Sequence, residues 1–539
     1  MIRLENRRDA VLVVALTWLL LVLLAFWSRH PMVIDETRYL GVAWEMWLRC
    51  DLLVPHLNGE PYSHKPPLLF WLINLSWWLL GVSDWAARLV PALAGLAGAL
   101  LLMPIARALW PERRGAGPLA AWLAFSTLFW LLWTTVTMFD LLVTVCAEFA
   151  LLGILLAWRG RQWLGWSMTG AAIGLGILAK GPVILVYALP AAVLAPWWMT
   201  EQRTLSWFNW YAGMVSAVLL GVAIGLAWAL PAAAAGGADY AARLLWGQTA
   251  DRMVESFAHR RPFWWYLPLL PLLLFPWSLW SPLWRSIHSR WQGHYDSGER
   301  LTLLVFLSGL LIFSLISGKQ IHYLLPLFPV LALFAARALV ASGEVASNGR
   351  LTFWILLAVP AVLGALLMVL PYLEFLHGYA VWIDGLSSLS GWIVLAAVPV
   401  ALLIRRWVPP ATWPGFLTLA LVLGMYPGLV REVAKPYAVE DIAAVIRAQQ
   451  DLGHEVAYVG SYHGEFNFAG RLTRPVQEIG RAASIAWGDA NPDGLLVERL
   501  DDIPRSASGV LYRRIYRSGY LVIRQARSVD TQGGASAVR

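Results

Sequence analysis

The first residues in this sequence with types suited to chemistry are the carboxylate pair Asp35-Glu36, followed closely by Arg38. They lie just past an apolar stretch, where a carboxylate beside low-dielectric material can be tuned into a base. An Asp at a helix start also serves as an N-cap, which is the structural alternative for Asp35. The cations are unevenly chosen. Of 41 lysines plus arginines only Lys65, Lys180, Lys319 and Lys435 are lysine, and all four fall at the expected outer ends of membrane segments. Codon usage can explain the rarity but not the one-sidedness. A lysine ammonium is a compact point charge that suits a phosphate. The alternative is snorkelling to the interface, the favoured reading for Lys435 and an equal one for Lys180. Three of the lysines have distinctive settings: His64-Lys65-Pro66-Pro67, Ala179-Lys180-Gly181-Pro182 and Gly318-Lys319-Gln320-Ile321-His322-Tyr323.

Asp140 opens a further apolar stretch on the same side, and an ionisable group at membrane depth is a functional candidate by default. Pairing with a lysine would suit either a structural or a functional role. Glu148, two turns deeper, reads as a buried structural group. The loop at 233–262 carries Trp246, Gln248, Asp251, Arg252, Glu255, His259, Arg260 and Arg261. Arg260 and Arg261 could clamp a phosphate, or form a solvated basic loop. His64 and His259 could share a divalent metal with a carboxylate, although a lone loop histidine is more often no ligand. Rim carboxylates, cations and aromatic residues on one side suit a substrate with an anionic head and an apolar tail. Phospholipids and polyprenyl phosphates both qualify, so the residues alone indicate a membrane enzyme or transporter acting on a lipid phosphate.

These groups must be positioned by membrane segments. The chain has 539 residues, of which 59% are hydrophobic and 14% charged. That balance excludes a soluble globular enzyme, a disordered chain and a disulfide-stapled module. Cys50 and Cys146 are expected to stay unpaired. The net charge of +8 is broken up by apolar stretches rather than gathered on one face, so it reads as topology, with no nucleic-acid partner. With about 20 apolar residues needed per span, about thirteen spans are expected. They lie near 10–28, 86–109, 118–134, 140–158, 163–179, 182–199, 211–232, 263–284, 301–317, 322–340, 351–371, 388–404 and 412–430. The first has a basic front but no small-x-small cleavage site, which makes it a retained anchor. Arginine-rich alternate loops place the N-terminus in the cytoplasm, and an odd count puts the C-terminus outside.

The expected fold is thus an all-α polytopic membrane protein with a small C-terminal α/β domain on the outer side. Its membrane domain spans 1–434, its outer domain 435–526 and a disordered tail 527–539. In the first outer loop, Asp35 to Arg49 reads as an amphipathic helix. Tyr39, Leu40, Ala43, Trp44, Trp47 and Leu48 share one face and Arg38, Glu45 and Arg49 the other, so it should lie along the membrane surface. A turn is expected at Asn58-Gly59-Glu60-Pro61, then a short interfacial or re-entrant helix from Leu68 to Leu80 ended by Gly81. In the outer domain, Val439 to Gln450 reads as a helix and Glu455 to Gly460 as a strand. Val510 to Ile523 reads as two strands around Arg517-Ser518-Gly519. No internal repeat is visible.

Taken as a set, certain residues resemble the aminoarabinose transferase branch of the GT-C glycosyltransferases, which is itself similar to the protein O-mannosyltransferases. They are Asp35-Glu36, Arg38, Asn58-Gly59-x-Pro61-Tyr62, Lys65-Pro66-Pro67-Leu68, Asp140, Ala179-Lys180-Gly181-Pro182 and Lys319-Gln320-x-His322-Tyr323-Leu324-Leu325-Pro326. The similarity covers about 10–340, and each piece is specific only within the ensemble. It implies a GT-C fold in the bacterial inner membrane with a periplasmic active site and a periplasmic C-terminal domain. It implies an inverting transfer of a sugar, such as 4-amino-4-deoxy-L-arabinose, from polyprenyl (undecaprenyl) phosphate. The acceptor would be lipid A or another envelope lipid, glycan or protein. The first-loop acid would be Asp35 and the loop lysine Lys65; where members often carry an acid before that lysine, this chain has His64.

On this reading Asp35, Glu36 and Asp140 are the acidic catalytic candidates. Lys65, Arg38, Arg260, Arg261 and Lys319 would hold the donor phosphate, and Tyr62, Lys180, His322 and Tyr323 the substrate. No cofactor is required, with a divalent metal at His64 and His259 left open. The expected partners are the lipid-linked donor, the acceptor and membrane lipids, and the protein is expected to be a monomer. The competing class is a polyprenyl-phosphate or lipid-linked-sugar flippase. It is disfavoured because such proteins often show two related halves and midplane broken helices.

Overall fold

The computed structural model describes residues 6–200, 206–247, 260–293, 295–342, 350–374, 383, 385–501 and 509–526. Its membrane part opens with α1 (Arg7–Ser28), α2 (Asp35–Arg49), α3 (Leu68–Leu80) and α4 (Asp84–Leu109). There follow α5 (Ala116–Phe125), α6 (Leu128–Trp133), α7 (Asp140–Trp158) and α8 (Gln162–Lys180). Next come α9 (Ile184–Val193), α10 (Ala195–Trp198) and α11 (Trp207–Ala235). Further apolar helices include Ser297–Leu315, Phe328–Ser342, Arg350–Val369, Ser388–Ile404 and Trp413–Met425.

By length and composition, nine helices among the described residues could cross a membrane. Four of the thirteen expected spans are not separate helices among those nine. The stretch 118–134 is split at Ser126-Thr127 into α5 and α6, and 182–199 into α9 and α10 after a 3-10 turn at Gly181–Val183. Ser388–Ile404 keeps the expected bounds and, with 17 residues, stands at the short end of the range for a span. The stretch 263–284 forms turns and short helical pieces. Pro262, Pro268, Pro271, Pro276 and Pro282 explain this last case, because each removes a backbone donor and clashes with the preceding turn.

Close packing of antiparallel helices sets the frame of the site. At Gly153 of α7 an added Cβ would lie 2.6 Å from the Gly165 carbonyl of α8, and at Gly165 it would lie 2.4 Å from the Gly153 carbonyl. Only glycine lets the two backbones approach so closely, a common device where lipid offers no hydrophobic drive to association. The start of α7 and the end of α8 are thereby brought side by side.

The loop between α1 and α4 has the expected elements in a different setting. β1 (His56–Leu57) and β2 (Glu60–Pro61) pair around Asn58-Gly59, and Gly81 ends α3 at φ +82°. α2, however, does not leave one polar face open to water, since Glu36 through Met46 are buried apart from the partly exposed Arg38. Its polar side is covered by the C-terminal region. Glu45 accepts from Asn467 Nδ2 at 3.0 Å, and Trp44 Nε1 donates to the Leu472 carbonyl at 2.9 Å. Trp77 of α3 stacks on Phe468 with centroids 5.0 Å apart. Charge pattern alone cannot show that another part of the chain supplies the polar partner.

That C-terminal region has a five-stranded sheet. It contains β3 (Val456–Val459), β4 (Gln477–Ile479), β5 (Leu495–Leu500), β6 (Val510–Tyr516) and β7 (Gly519–Gln525), in the order β4-β3-β5-β7-β6. β4, β3 and β5 are parallel, whereas β5–β7 and β7–β6 are antiparallel. The helix Glu440–Asp451 packs on it through Ile442, Ala443 and Ile446. The expected tail, 527–539, lies outside the described residues. Cys50 and Cys146 are both unpaired.

Candidate active site

The junction of α7 and α8 carries a buried ion pair. Asp140 is the first residue of α7 and Lys180 the last of α8, and Lys180 Nζ donates to Asp140 Oδ1 at 2.5 Å. The carboxylate sits at a helix N-terminus and the ammonium at a helix C-terminus, so each charge meets the favourable end of a helix dipole. The ammonium also lies 5.1 Å from the Tyr323 ring centroid. The second carboxylate oxygen of Asp140 is buried with no hydrogen-bond partner among the described residues.

α2 supplies the next wall. Its N-cap is Ile34 and no side chain caps it, so Asp35 is not spent on capping. Asp35 instead pairs with Arg38 one turn on and accepts from the Tyr39 hydroxyl at 3.4 Å, with its side chain half exposed. Burial pushes the Tyr39 hydroxyl well above its ordinary range, helped by the Asp35 charge, so it stays a donor. Burial works against charge on Arg38, but Tyr62, Tyr39 and Asp35 hold the guanidinium above its ordinary value.

The segment from Tyr62 to Pro66, between the hairpin and α3, forms a third wall, with the Tyr62 and His64 rings 5.3 Å apart. A fourth comes from Gln320, His322 and Tyr323 at the 3-10 helix Ile321–Leu327. Two buried tyrosines fix its backbone. Tyr187 donates to the Tyr323 carbonyl at 2.9 Å and Tyr266 to the Gln320 carbonyl at 3.0 Å.

These walls enclose a cavity of about 320 Å³. Nine residues singled out from sequence line it: Asp35, Arg38, Tyr62, His64, Lys65, Asp140, Lys180, His322 and Tyr323. With Arg243 they give four cations against two carboxylates, a formal surplus of +2 with histidines neutral. Such a lining attracts an anionic group and leaves carboxylates beside it.

Other candidates lie elsewhere. Glu36 is buried behind the cavity and accepts from Arg29 Nη1 at 2.5 Å, the Met32 amide at 2.9 Å and the Thr137 amide at 2.6 Å. Burial would raise its carboxyl, but Arg29 and Arg88 pull it below the usual carboxylate range. It is a structural tie between two loops. Lys319 is buried away from the cavity, its ammonium donating to the carbonyls of Ile316 at 2.5 Å and Arg261 at 3.1 Å. Arg260 and Arg261 are exposed beside it, with Arg260 bridged to Gly318, and neither lines the cavity. His259 lies outside the described residues. Among the described residues no three His, Cys, Asp or Glu side chains are grouped to hold a metal.

Comparison with known proteins now has a geometry to refer to. Residues 64–234 match the family described as dolichyl-phosphate-mannose-protein mannosyltransferase. The undecaprenyl phosphate-alpha-4-amino-4-deoxy-L-arabinose arabinosyl transferase of Pectobacterium carotovorum subsp. carotovorum (strain PC1) is 32% identical over 90% of this chain and 84% of its own. That of Pectobacterium atrosepticum (strain SCRI 1043) is 31% identical over 88% and 82%. This chain belongs to that arabinosyl transferase family.

Its fold agrees. ArnT from Cupriavidus metallidurans bound to undecaprenyl phosphate superposes with a TM-score of 0.70 at 20% identity, covering 95% of this chain and 97% of the other. As an arabinosyl transferase family member the protein is a GT-C membrane glycosyltransferase. Sequence reading missed Arg243 and His463, which both line the cavity of this family member. Arg243 lies in the same long loop as the arginines that were chosen, ten residues into it. His463 comes from the C-terminal region, between β3 and β4. Its one local signal is the polar-aromatic run Tyr462-His463-Gly464-Glu465, with Gly464 at φ +76°.

Proposed function

We propose that this protein transfers 4-amino-4-deoxy-L-arabinose from undecaprenyl phosphate to an envelope acceptor, a lipid A phosphate, at the periplasmic face of the inner membrane. The observation that carries this reading is the convergence of Asp35, Lys65, Asp140 and Lys180, from four separate segments, on one cation-rich cavity. The acceptor oxygen attacks the anomeric carbon opposite the leaving phosphate. The carbon–oxygen bond to that phosphate breaks with inversion, and undecaprenyl phosphate departs with the bonding pair. Lys65, Arg38 and Arg243 neutralise the charge that grows on it. Asp35 orients the acceptor, removing its proton where it is a hydroxyl and positioning it where it is an ionised phosphate. Lys180, held by Asp140, keeps a cation beside Tyr323, while Tyr62 and His322 face the sugar. Residues 435–526 act as an outer domain that contributes His463 to the cavity wall.

The test is a transfer assay with purified full-length protein, the lipid-linked donor and lipid A. Asp35→Asn and Lys65→Ala should each lower turnover by about 10²- to 10³-fold at unchanged thermal stability. Near-normal turnover in both variants removes these roles. Movement of the intact donor across a bilayer, with no sugar released, would favour the flippase instead.

A further inference from the structure

A second cleft, of about 570 Å³, opens at the other end of the bundle. Four arginines line it and no carboxylate does. Arg7 opens α1, Arg107 lies in the last turn of α4, and Arg113 and Arg114 sit in the turn before α5. Met103 and Trp110 form part of its wall. The cleft is far from the sugar-transfer cavity. Arg159, just past α7, donates to the carbonyls of Ala108 and Leu109 at 2.9 and 3.0 Å, so α4 ends where α7 ends. α7 begins at Asp140, and its 19 residues span about 28 Å, close to the apolar thickness of a bilayer.

Topology alone explains arginines on this face, but not this arrangement. Among the described residues Arg8, Arg161 and Arg285 also lack a side-chain hydrogen bond or ion pair, whereas other arginines at this end are committed within the fold. Arg290 pairs with Glu299 at 2.5 Å and Arg337 with Asp296 at 2.9 Å, while Arg159 holds the end of α4. Trp110 Nε1 is likewise held by Asp296 at 2.9 Å. Arg7, Arg107, Arg113 and Arg114 make no side-chain hydrogen bond or ion pair among the described residues, and they converge on one concavity.

We propose that this cleft binds the phosphate headgroup of an anionic phospholipid, in the leaflet opposite the sugar-transfer cavity. Basic pockets between helix ends are built for such headgroups, and each arginine adds to the attraction. The phosphate would sit among the four guanidiniums, which can chelate its oxygens in pairs.

Native mass spectrometry of the full-length protein in detergent reads this directly. Titration with phosphatidylglycerol should give at least about tenfold more bound lipid than phosphatidylcholine at equal concentration. The triple variant Arg107→Gln, Arg113→Gln, Arg114→Gln should lose that preference, and the triple lysine variant should keep most of it. Equal retention of the two lipids by the wild type overturns the proposal, as does an unchanged preference in the triple glutamine variant. Inorganic phosphate is the third arm. Its binding without any lipid preference would reject the headgroup. Because the readout is lipid bound rather than sugar moved, the result stands apart from the transfer assay.

Discussion

At the scale of single residues, the Asp140–Lys180 pair is the strongest structural commitment in the cavity. The Asp140 side chain is 3% exposed and that of Lys180 15%. Removing one partner leaves the other buried without its counter-charge, which costs about 3–5 kcal/mol. Lys180→Met and Asp140→Asn should each lower the unfolding midpoint in detergent and abolish transfer. The double variant should recover part of the stability but none of the activity. Stability recovered together with turnover would show the pair to be scaffolding alone. Glu36 predicts a pH dependence. Its carboxyl is depressed in the folded state, so its contribution is present above the unfolded value near 4.3 and is lost as pH falls through the lower folded value. Glu36→Gln should therefore flatten the acid side of the stability profile, measured by thermal unfolding from about pH 6 downwards.

At the scale of elements, what matters is how the C-terminal region is seated on the first outer loop. Asn58, at the tip of the hairpin, accepts from the Val476 amide at 2.8 Å and donates to the Val476 carbonyl at 2.7 Å. Asn58→Ala leaves both backbone groups without that partner and should cost about 1–3 kcal/mol. Limited proteolysis should then cut 435–526 faster than in the wild type. A second contact is set by pH. His30 lies 3.6 Å from both Asp84 of α4 and Glu440 of the C-terminal helix. The Asp84 carboxylate raises its imidazole first, Glu440 adds to it, and burial and Arg88 oppose it. The stabilisation is complete below the unfolded value near 6.5 and disappears as pH rises through the higher folded one. His30→Ala should erase a gain in protease resistance between about pH 8 and pH 6. An identical gain in the variant would assign that pH effect to other groups.

At the scale of the whole molecule, the proposed sugar-transfer cavity lies at one end of α7, a helix about as long as the bilayer core is thick. The donor must therefore reach the protein from one leaflet. In proteoliposomes with the protein inserted in one orientation, donor placed only in the cavity-side leaflet should be consumed. Donor confined to the other leaflet should persist until it crosses unaided. Equal consumption from both sides would mean that the protein also carries its donor across, as a flippase does. The surplus of cations in the cavity further predicts that donor binding weakens as salt rises, since part of the attraction is screened.

The amino-acid sequence by itself determined that the chain is a polytopic membrane protein, because apolar runs of span length are a property of consecutive residues. It also determined the helices at Asp35 and Leu68, the turn at Asn58-Gly59 and the helix from Glu440, since periodicity, proline placement and turn chemistry act over a few residues. Types in context were enough to single out Asp35, Lys65, Asp140 and Lys180. What sequence could not reach was decided by contacts hundreds of residues apart. Glu36 is as acidic as its neighbour Asp35, but one position along a helix turns it by 100° into Arg29 and the Thr137 amide. Lys319 sits in the same motif as His322 and Tyr323, yet backbone carbonyls take its ammonium. Arg243 and His463 reach the cavity only because a long loop and a distant domain fold back over it. Local spacing ranks which residues can do chemistry, and only the packing of α2, α7 and α8 with the C-terminal region selects those that share one cavity.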